Sequence, residues 1–309
     1  MKTITMKNYQ TDESRASSRL RCASPRQGVE SKPNAAPCDL RSRHVSRFTF
    51  HASAFTIVEL LVVIAIIGIL AALLLPVLAK AKISAQKKQA QVEMSQIVGG
   101  IQQYDSVYGR FPVSPAVQQT ASTTLGGDFT YGGSVIASNL SLLPPAYVAY
   151  TTNNSEVIAI LMDLTSYPNG SLTVNTNHQK NPQRTIFLNA KMSGYDPASN
   201  DPQPPGGVDI TGVYRDPWGS PYVISMDLNY DEQCQDAIYC RRLVSQNPSG
   251  SPTSQTGFNG LFNPDLNGQT DNYLYHGKVM VWSAGPNRKI DPVEPADDSE
   301  NRDNVLSWQ

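Results

Sequence analysis

The longest apolar run in the chain is Phe55–Ala79, FTIVELLVVIAIIGILAALLLPVLA, with one charge, Glu59, near its start. As a helix its 25 residues would extend about 37 Å, enough to cross a hydrocarbon layer of about 30 Å with some tilt. Gly68 and Pro76 are weak points inside it, Pro76 because it removes a backbone donor. After Lys80 the pattern turns amphipathic. Ala90, Met94, Ile97, Ile101, Tyr104 and Tyr108 recur at alternating spacings of four and three, one face of a helix, and the other faces carry Gln, Lys and Ser. Gly109 supplies a C-terminal cap and Pro112 a stop, so Phe55–Tyr108 is predicted as one helix, loosened at Gly99-Gly100. The apolar face should bury against the downstream domain.

Periodicity is weaker downstream. Residues 113–205 are rich in Ser, Thr, Asn, Gly and Pro. A helix is expected over Ser155–Leu164, capped by Ser155, and a second short one after Asn181-Pro182, with proline at its first position. Pro202–Gly207 reads as a loop. From Val213 the pattern favours strands, best at Tyr222–Met226 and Lys278–Trp282, where β-branched and aromatic residues lie between turn residues.

Charge changes the picture at the front. Residues 1–54 hold ten Lys/Arg against four Asp/Glu and the rest fifteen against twenty-two, so a +6 segment precedes a −7 remainder inside a net charge of −1. The basic, Ser/Arg/Pro-rich front has no apolar periodicity and reads as a leader ahead of a membrane segment. The acidic remainder argues against nucleic acid as a partner. Local charges do not set the topology, because Arg41, Arg43 and Arg47 precede the span while Lys80, Lys82, Lys87 and Lys88 follow it. A secretory signal would place its cut after a shorter apolar core.

Glu59 is costly where it stands, roughly 2.5–3.5 kcal/mol for an acidic residue at mid-membrane and less toward the edge. A generic anchor has no use for it. The stretch AFTIVELLVVIAIIGILAALLLPVLAKAK resembles the N-terminus of type IV pilins and type II secretion pseudopilins. By that resemblance a prepilin peptidase cuts between Ala54 and Phe55, Phe55 becomes the methylated N-terminus, and Glu59 is the assembly carboxylate. Ala54 stands where the family usually has Gly. The new ammonium would neutralise Glu59 of a neighbouring subunit, relieving two charges in a dry environment.

YDSVYGRFP (Tyr104–Pro112) and DPWGSPY (Asp216–Tyr222) resemble the end of the long helix and the following strand entry of major pseudopilins. SAGPNRKID and DNVLSW resemble the paired C-terminal segments that hold calcium in that subgroup. Matched by position, Asn287, Asp303 and Asn304 are the expected Ca2+ ligands, with Asp291, Asp297, Asp298 and Glu300 able to compensate for missing acids; a solvated acidic loop is the plainer reading. Cleavage would leave two of the four cysteines, Cys234 and Cys240, on the exported side, where an oxidising compartment permits either a disulfide or two free thiols; Cys22 and Cys38 go with the leader.

The expected architecture is α+β and pilin-like: a leader over 1–54, the membrane half of the long helix over 55–79, its amphipathic half over 80–112, an inserted region over 113–205, and a small antiparallel sheet with a C-terminal loop over 206–309. The resemblance implies a single-pass protein of the bacterial inner membrane with a periplasmic domain. Its implied partners are membrane lipid, further copies of itself, minor pseudopilins, the peptidase/methylase and an inner-membrane assembly platform. A surface type IV pilin and a membrane-tethered binding module are the alternatives. Catalytic motifs are missing: after the leader there are two histidines, His178 and His276, and no phosphate loop or nucleophile elbow. His178 reads as a loop residue, and Trp218, Trp282 and Trp308 as packing anchors. Asp227–Asp231 mimics the start of an EF-hand loop but has Glu232 where glycine is needed, and Asp265–Gly268 reads as a turn.

Overall fold

The apolar run and the amphipathic stretch after it form one helix, α1 (Ile57–Tyr108), of 52 residues that continues through Pro76. A computed structural model describes residues 55–123, 125–247, 255–265 and 268–309. The leader, with Ala54, Cys22 and Cys38, lies outside the described residues. Helix α1 ends as expected: Gly109 is left-handed (φ 63°) and its N–H reaches back to the Asp105 carbonyl at 2.7 Å. The seam is also where the spacing put it, since Ala90, Met94, Ile97, Ile101 and Tyr104 are fully buried and Tyr108 is packed beside them.

That seam lies on a four-stranded antiparallel sheet whose order is Phe129–Tyr131, Val223–Met226, Val279–Ser283, Val305–Leu306, and contacts the last two strands. The elements after α1 are α2 (Pro115–Ala121), β1 (Phe129–Tyr131), α3 (Gly133–Ala137), α4 (Ser155–Leu161), β2 (Gly207–Val208), β3 (Tyr214–Arg215), β4 (Val223–Met226), β5 (Gln233–Cys234), α5 (Arg242–Ser245), β6 (Tyr275–His276), β7 (Val279–Ser283) and β8 (Val305–Leu306). β4 and β7 form the sheet's centre, in register from Val223 opposite Trp282 to Met226 opposite Val279. β2–β3 and β5–β6 are separate two-stranded pairs. The architecture is α+β.

Residues 113–205 are woven into the same core. β1 supplies an edge of the main sheet, pairing Phe129–Tyr131 with Met226–Ile224, and α4 packs on α1. Three fully buried asparagines substitute here for backbone ladders. Asn154 Nδ2 donates to the Tyr214 and Tyr222 carbonyls (3.0 and 2.8 Å) while its Oδ1 accepts from Tyr214 N (2.9 Å). Asn175 Oδ1 accepts from Lys180 N and Asn181 N. Asn181 holds Thr185 and the Tyr108 hydroxyl.

One expected helix is cut short and another does not form, both for local reasons. α4 stops at Leu161 because Asp163 turns left-handed (φ 55°) and the Leu164 N–H folds back onto the Ala159 carbonyl at 2.8 Å. Ser155 is its first residue rather than its cap. Asn181-Pro182 opens a turn, closed from Arg184 N to the Asn181 carbonyl at 2.9 Å, because the buried Asn181 side chain occupies the Thr185 backbone groups. The bridge weighed between Cys234 and Cys240 is also not formed, and both thiols are free and buried. The turn Asp236–Cys240 directs Cys240 Sγ to the Tyr147 hydroxyl (3.5 Å) and the Ala237 carbonyl (3.6 Å).

The tryptophans are packing residues. Trp282 is fully buried and donates to Asp236 Oδ2 at 3.0 Å, and Trp218 and Trp308 are half-buried against the core. Asp227 closes a turn by accepting from Asp231 N and Glu232 N. The Gly268 N–H meets the Asp265 carbonyl at 3.0 Å, although Leu266 and Asn267 lie outside the described residues.

Candidate functional site

Two regions carry the sequence-derived functional residues. The first is the beginning of α1. Phe55 and Thr56 precede Ile57, and Glu59 falls in the helix's first turn, where a negative charge is favoured by the helix dipole. Side chains from Phe55 through Leu78 are exposed, Phe55 by 76% and Ile57 by 85%. An 18-residue window of α1 meets the length and composition of a membrane span, and none of it is buried inside the protein. A core helix of the same composition would be covered. The helix is therefore divided by environment: an apolar half whose side chains are exposed among the described residues, then a half whose seam docks on the sheet. Ile83, Val92 and Val107 remain exposed on the docked half.

The second region is the pair of C-terminal loops. Gly285 is left-handed (φ 67°), and a β-carbon there would lie 2.3 Å from the Asp303 carbonyl oxygen, so glycine lets the loop after β7 touch the loop before β8. The three expected metal residues are brought together only in part. The Asn287 N–H donates to Asp303 Oδ2 (3.1 Å), Asn287 Nδ2 donates to the Glu300 carbonyl (2.7 Å), and Asn287 Oδ1 is taken by Lys289 N (2.8 Å). Asn304 Nδ2 donates to the Tyr239 hydroxyl at 3.0 Å. Asp303 Oδ1 and Asn304 Oδ1 are buried without a hydrogen-bond partner among the described residues. Burial pushes the Asp303 carboxyl above the usual carboxylate range, against the Asn287 N–H.

Three of the four acids expected to compensate are otherwise engaged. Glu300 pairs with Lys289 at 2.9 Å, Asp291 Oδ1 takes Val293 N, and Asp298 Oδ1 takes Ser299 N. Among the described residues no three His, Cys, Asp or Glu side chains are grouped to hold a metal. Two orphaned oxygens fit a hard cation, which prefers oxygen ligands, with only one acid among the three expected residues. Asn301 carries no motif in the sequence. It is 1% exposed, accepts from Asp291 N, and donates to the Asp291 and Glu294 carbonyls, clamping this loop. A polar residue beside a run of acids gives no sign in sequence of such a role.

His178 is a half-buried partner rather than a bare loop residue. Its Nδ1 lies 2.8 Å from Asp163 Oδ1, which also accepts from Asn175 Nδ2 at 2.9 Å.

Residues 50–75 match the family model of the prokaryotic N-terminal methylation motif. No curated protein and no solved structure matches the chain. The motif and the bare apolar helix together support a type IV pilin-like chain, anchored in the inner membrane and processed by a prepilin peptidase.

Proposed function

We propose that the chain is a structural subunit of a bacterial type II secretion pseudopilus, its globular part in the periplasm, polymerising through α1 to drive protein export. The observation that carries this reading is Glu59. A carboxylate stands in the first turn of an exposed apolar helix, inside the matched motif and four residues after Phe55, which this reading makes the new N-terminus.

Cleavage after Ala54 removes the +6 leader and creates an amine that stays protonated when methylated. In a polymer that ammonium pairs with Glu59 of the adjacent subunit, so neither charge is left alone in a dry core. Leaving the bilayer costs the remaining apolar side chains little, because neighbouring helices are as apolar as lipid tails. The seam from Ala90 to Tyr104 stays docked on the sheet and carries the globular part with the helix. Minor pseudopilins, the peptidase/methylase and an assembly platform are the partners in this reading. The chain itself does no catalysis; chemistry is done to it.

Calcium would be held by Asp303 and Asn304, whose orphaned oxygens support the assignment, and Asn287 would join only by releasing the Lys289 N–H. The ion would supply charge neutralisation and cross-link the two C-terminal loops.

Glu59→Ala tests the reading. Removing the acid relieves roughly 2.5–3.5 kcal/mol of insertion cost at mid-membrane, so the variant inserts at least as well as the wild type but fails to polymerise and to support secretion. Normal assembly of Glu59→Ala would favour a membrane-tethered binding module. Long extracellular filaments containing the chain would favour a surface type IV pilin.

A further inference from the structure

A cavity of about 450 Å³ opens where α1 leaves the apolar run. Its walls include Lys82 and Gln86 of α1, Gln203, Trp218, Arg288 and five prolines, and among the described residues none of its lining side chains is acidic. The walls are built rather than loose. Gln86 Nε2 donates to the Pro217 carbonyl (3.2 Å) and Arg288 Nη1 to the Pro202 carbonyl (2.7 Å). Gly219, left-handed at φ 92°, allows the Pro204 carbonyl to approach to a point 2.3 Å from where a β-carbon would be. Two acids adjoin the lining: Asp216 is turned inward and fully buried, its carboxylate taken by Trp218 N, Ser220 N and Ser283 Oγ, and the exposed Asp201 spends one carboxylate oxygen on Gln203 N at 2.9 Å. Trp218 Nε1 has no acceptor among the described residues.

The depth of this cavity follows from helix geometry. Lys82 is three residues past Ala79, about 4.5 Å of helix, and Gln86 about 10 Å. Each leaflet adds a polar layer of roughly 5–7 Å to the hydrocarbon core. Lys82 and the mouth of the cavity therefore lie at headgroup level when the apolar run spans the bilayer, the level at which tryptophan and basic side chains are favoured. Prolines offer no backbone donors, so an anion there would be met by the Lys82 ammonium, the Arg288 guanidinium and the two glutamine amides.

We propose that this cavity seats the phosphate headgroup of an anionic phospholipid from the leaflet beside the globular part. The proposal rests on the membrane reading of the apolar run. Seating a headgroup fixes how closely the globular part rides on the bilayer, and the lipid is released when α1 moves into the polymer.

The full chain, inserted in nanodiscs of mixed phosphatidylcholine and phosphatidylglycerol, tests this by native mass spectrometry of the lipids it retains. Resistance to alkaline extraction measures insertion separately. The wild type should retain phosphatidylglycerol well above its share of the bilayer, and Lys82→Gln should lower that preference about fivefold, the effect of one cation at an anionic surface. Arg288→Gln should lower it similarly, and Lys82→Gln, on an exposed helix face, carries the test if the loss of the Pro202 contact loosens the wall. Lys80→Gln makes the same charge change at the same depth but about 200° around the helix, so it should leave the preference unchanged. Retention in bulk proportion by the wild type, or an equal loss in Lys80→Gln, would overturn the site. Release of the wild type by alkali would overturn the membrane reading and the site with it.

Discussion

Asp216, in the DPWGSPY stretch, is fully buried, and among the described residues no cation pairs with it. Its Oδ1 accepts from Trp218 N and Ser220 N, both at 2.9 Å, and its Oδ2 from Ser283 Oγ at 2.5 Å. Burial pushes the carboxyl from the ordinary 3.8 up to about 6, with these hydrogen bonds pulling the other way. Below pH 4 the acid is protonated in both folded and unfolded chains and the shift has no effect on stability. Between pH 4 and 6 the unfolded chain releases the proton while the folded chain keeps it, so stability falls as pH rises. Above pH 6 the loss levels off at about 3 kcal/mol, from 1.36 kcal/mol per pKa unit. Asp216→Asn keeps the volume: its carbonyl can serve the two backbone N–H groups, and its amide can donate to Ser283 Oγ, as the protonated acid does. The variant should match the wild type within about 1 kcal/mol at pH 4 and exceed it by about 3 kcal/mol at pH 8. Urea unfolding of both proteins across this range, followed by tryptophan fluorescence, measures the gap. A gap that is the same at pH 4 and pH 8, or a variant less stable than wild type at pH 8, would refute the assignment of the burial cost to this carboxylate.

Adjacent glycines in α1 should respond in opposite directions. Nothing lies within 4 Å of a β-carbon at Gly99, so Gly99→Ala should stabilise by about 0.5–1 kcal/mol. At Gly100 the β-carbon would meet the Phe187 carbonyl oxygen at 3.0 Å, and the Phe187 ring is held by Tyr104 and Tyr108, so Gly100→Ala should cost about 1 kcal/mol net in thermal unfolding. Burial raises both remaining thiols, that of Cys240 to about 12, so Cys234 and Cys240 should resist alkylation at neutral pH in the folded protein and both react in denaturant, as counted by intact mass; an unreduced sample that stays unlabelled in denaturant would show a bridge. Calcium should raise the midpoint of thermal unfolding of the wild type, and Asp303→Ala should remove most of that increment; an equal increment in the variant would place the ion elsewhere.

Helix α1 was legible because a 3.6-residue period, Gly109 and Pro112 all gave the same answer, and the bare half was legible from composition alone. β4 and β7 showed for a similar reason: Tyr222–Met226, broken only by Ser225, and Lys278–Trp282, apolar after its lysine, are runs rich in β-branched and aromatic residues. β1 did not show, since Phe129–Tyr131 is too short to display a period and takes its strand geometry from Met226–Ile224 across the sheet. The same holds for the region after α4. Asp163, Asn177, His178 and Arg184 all adopt left-handed backbone there, and buried Asn175 and Asn181 supply the hydrogen bonds that a helix would have made for itself. Sequence marks such residues as loop formers but not which backbone groups they will satisfy. At the candidate site, Glu59 could be located because a charge inside an apolar run is conspicuous. The loop contact that orphans Asp303 Oδ1 and Asn304 Oδ1 depends on Gly285, far off along the chain, and on Asn301, close by but of ordinary appearance.

If an amine made by cleavage answers the Glu59 carboxylate, the mature N-terminus in native polymer carries that amine, and its mass shows it. The expected terminal peptide begins at Phe55, carries one N-methyl group and contains nothing from residues 1–54. Polymer built from chains in which the Ala54–Phe55 bond is intact would contradict it.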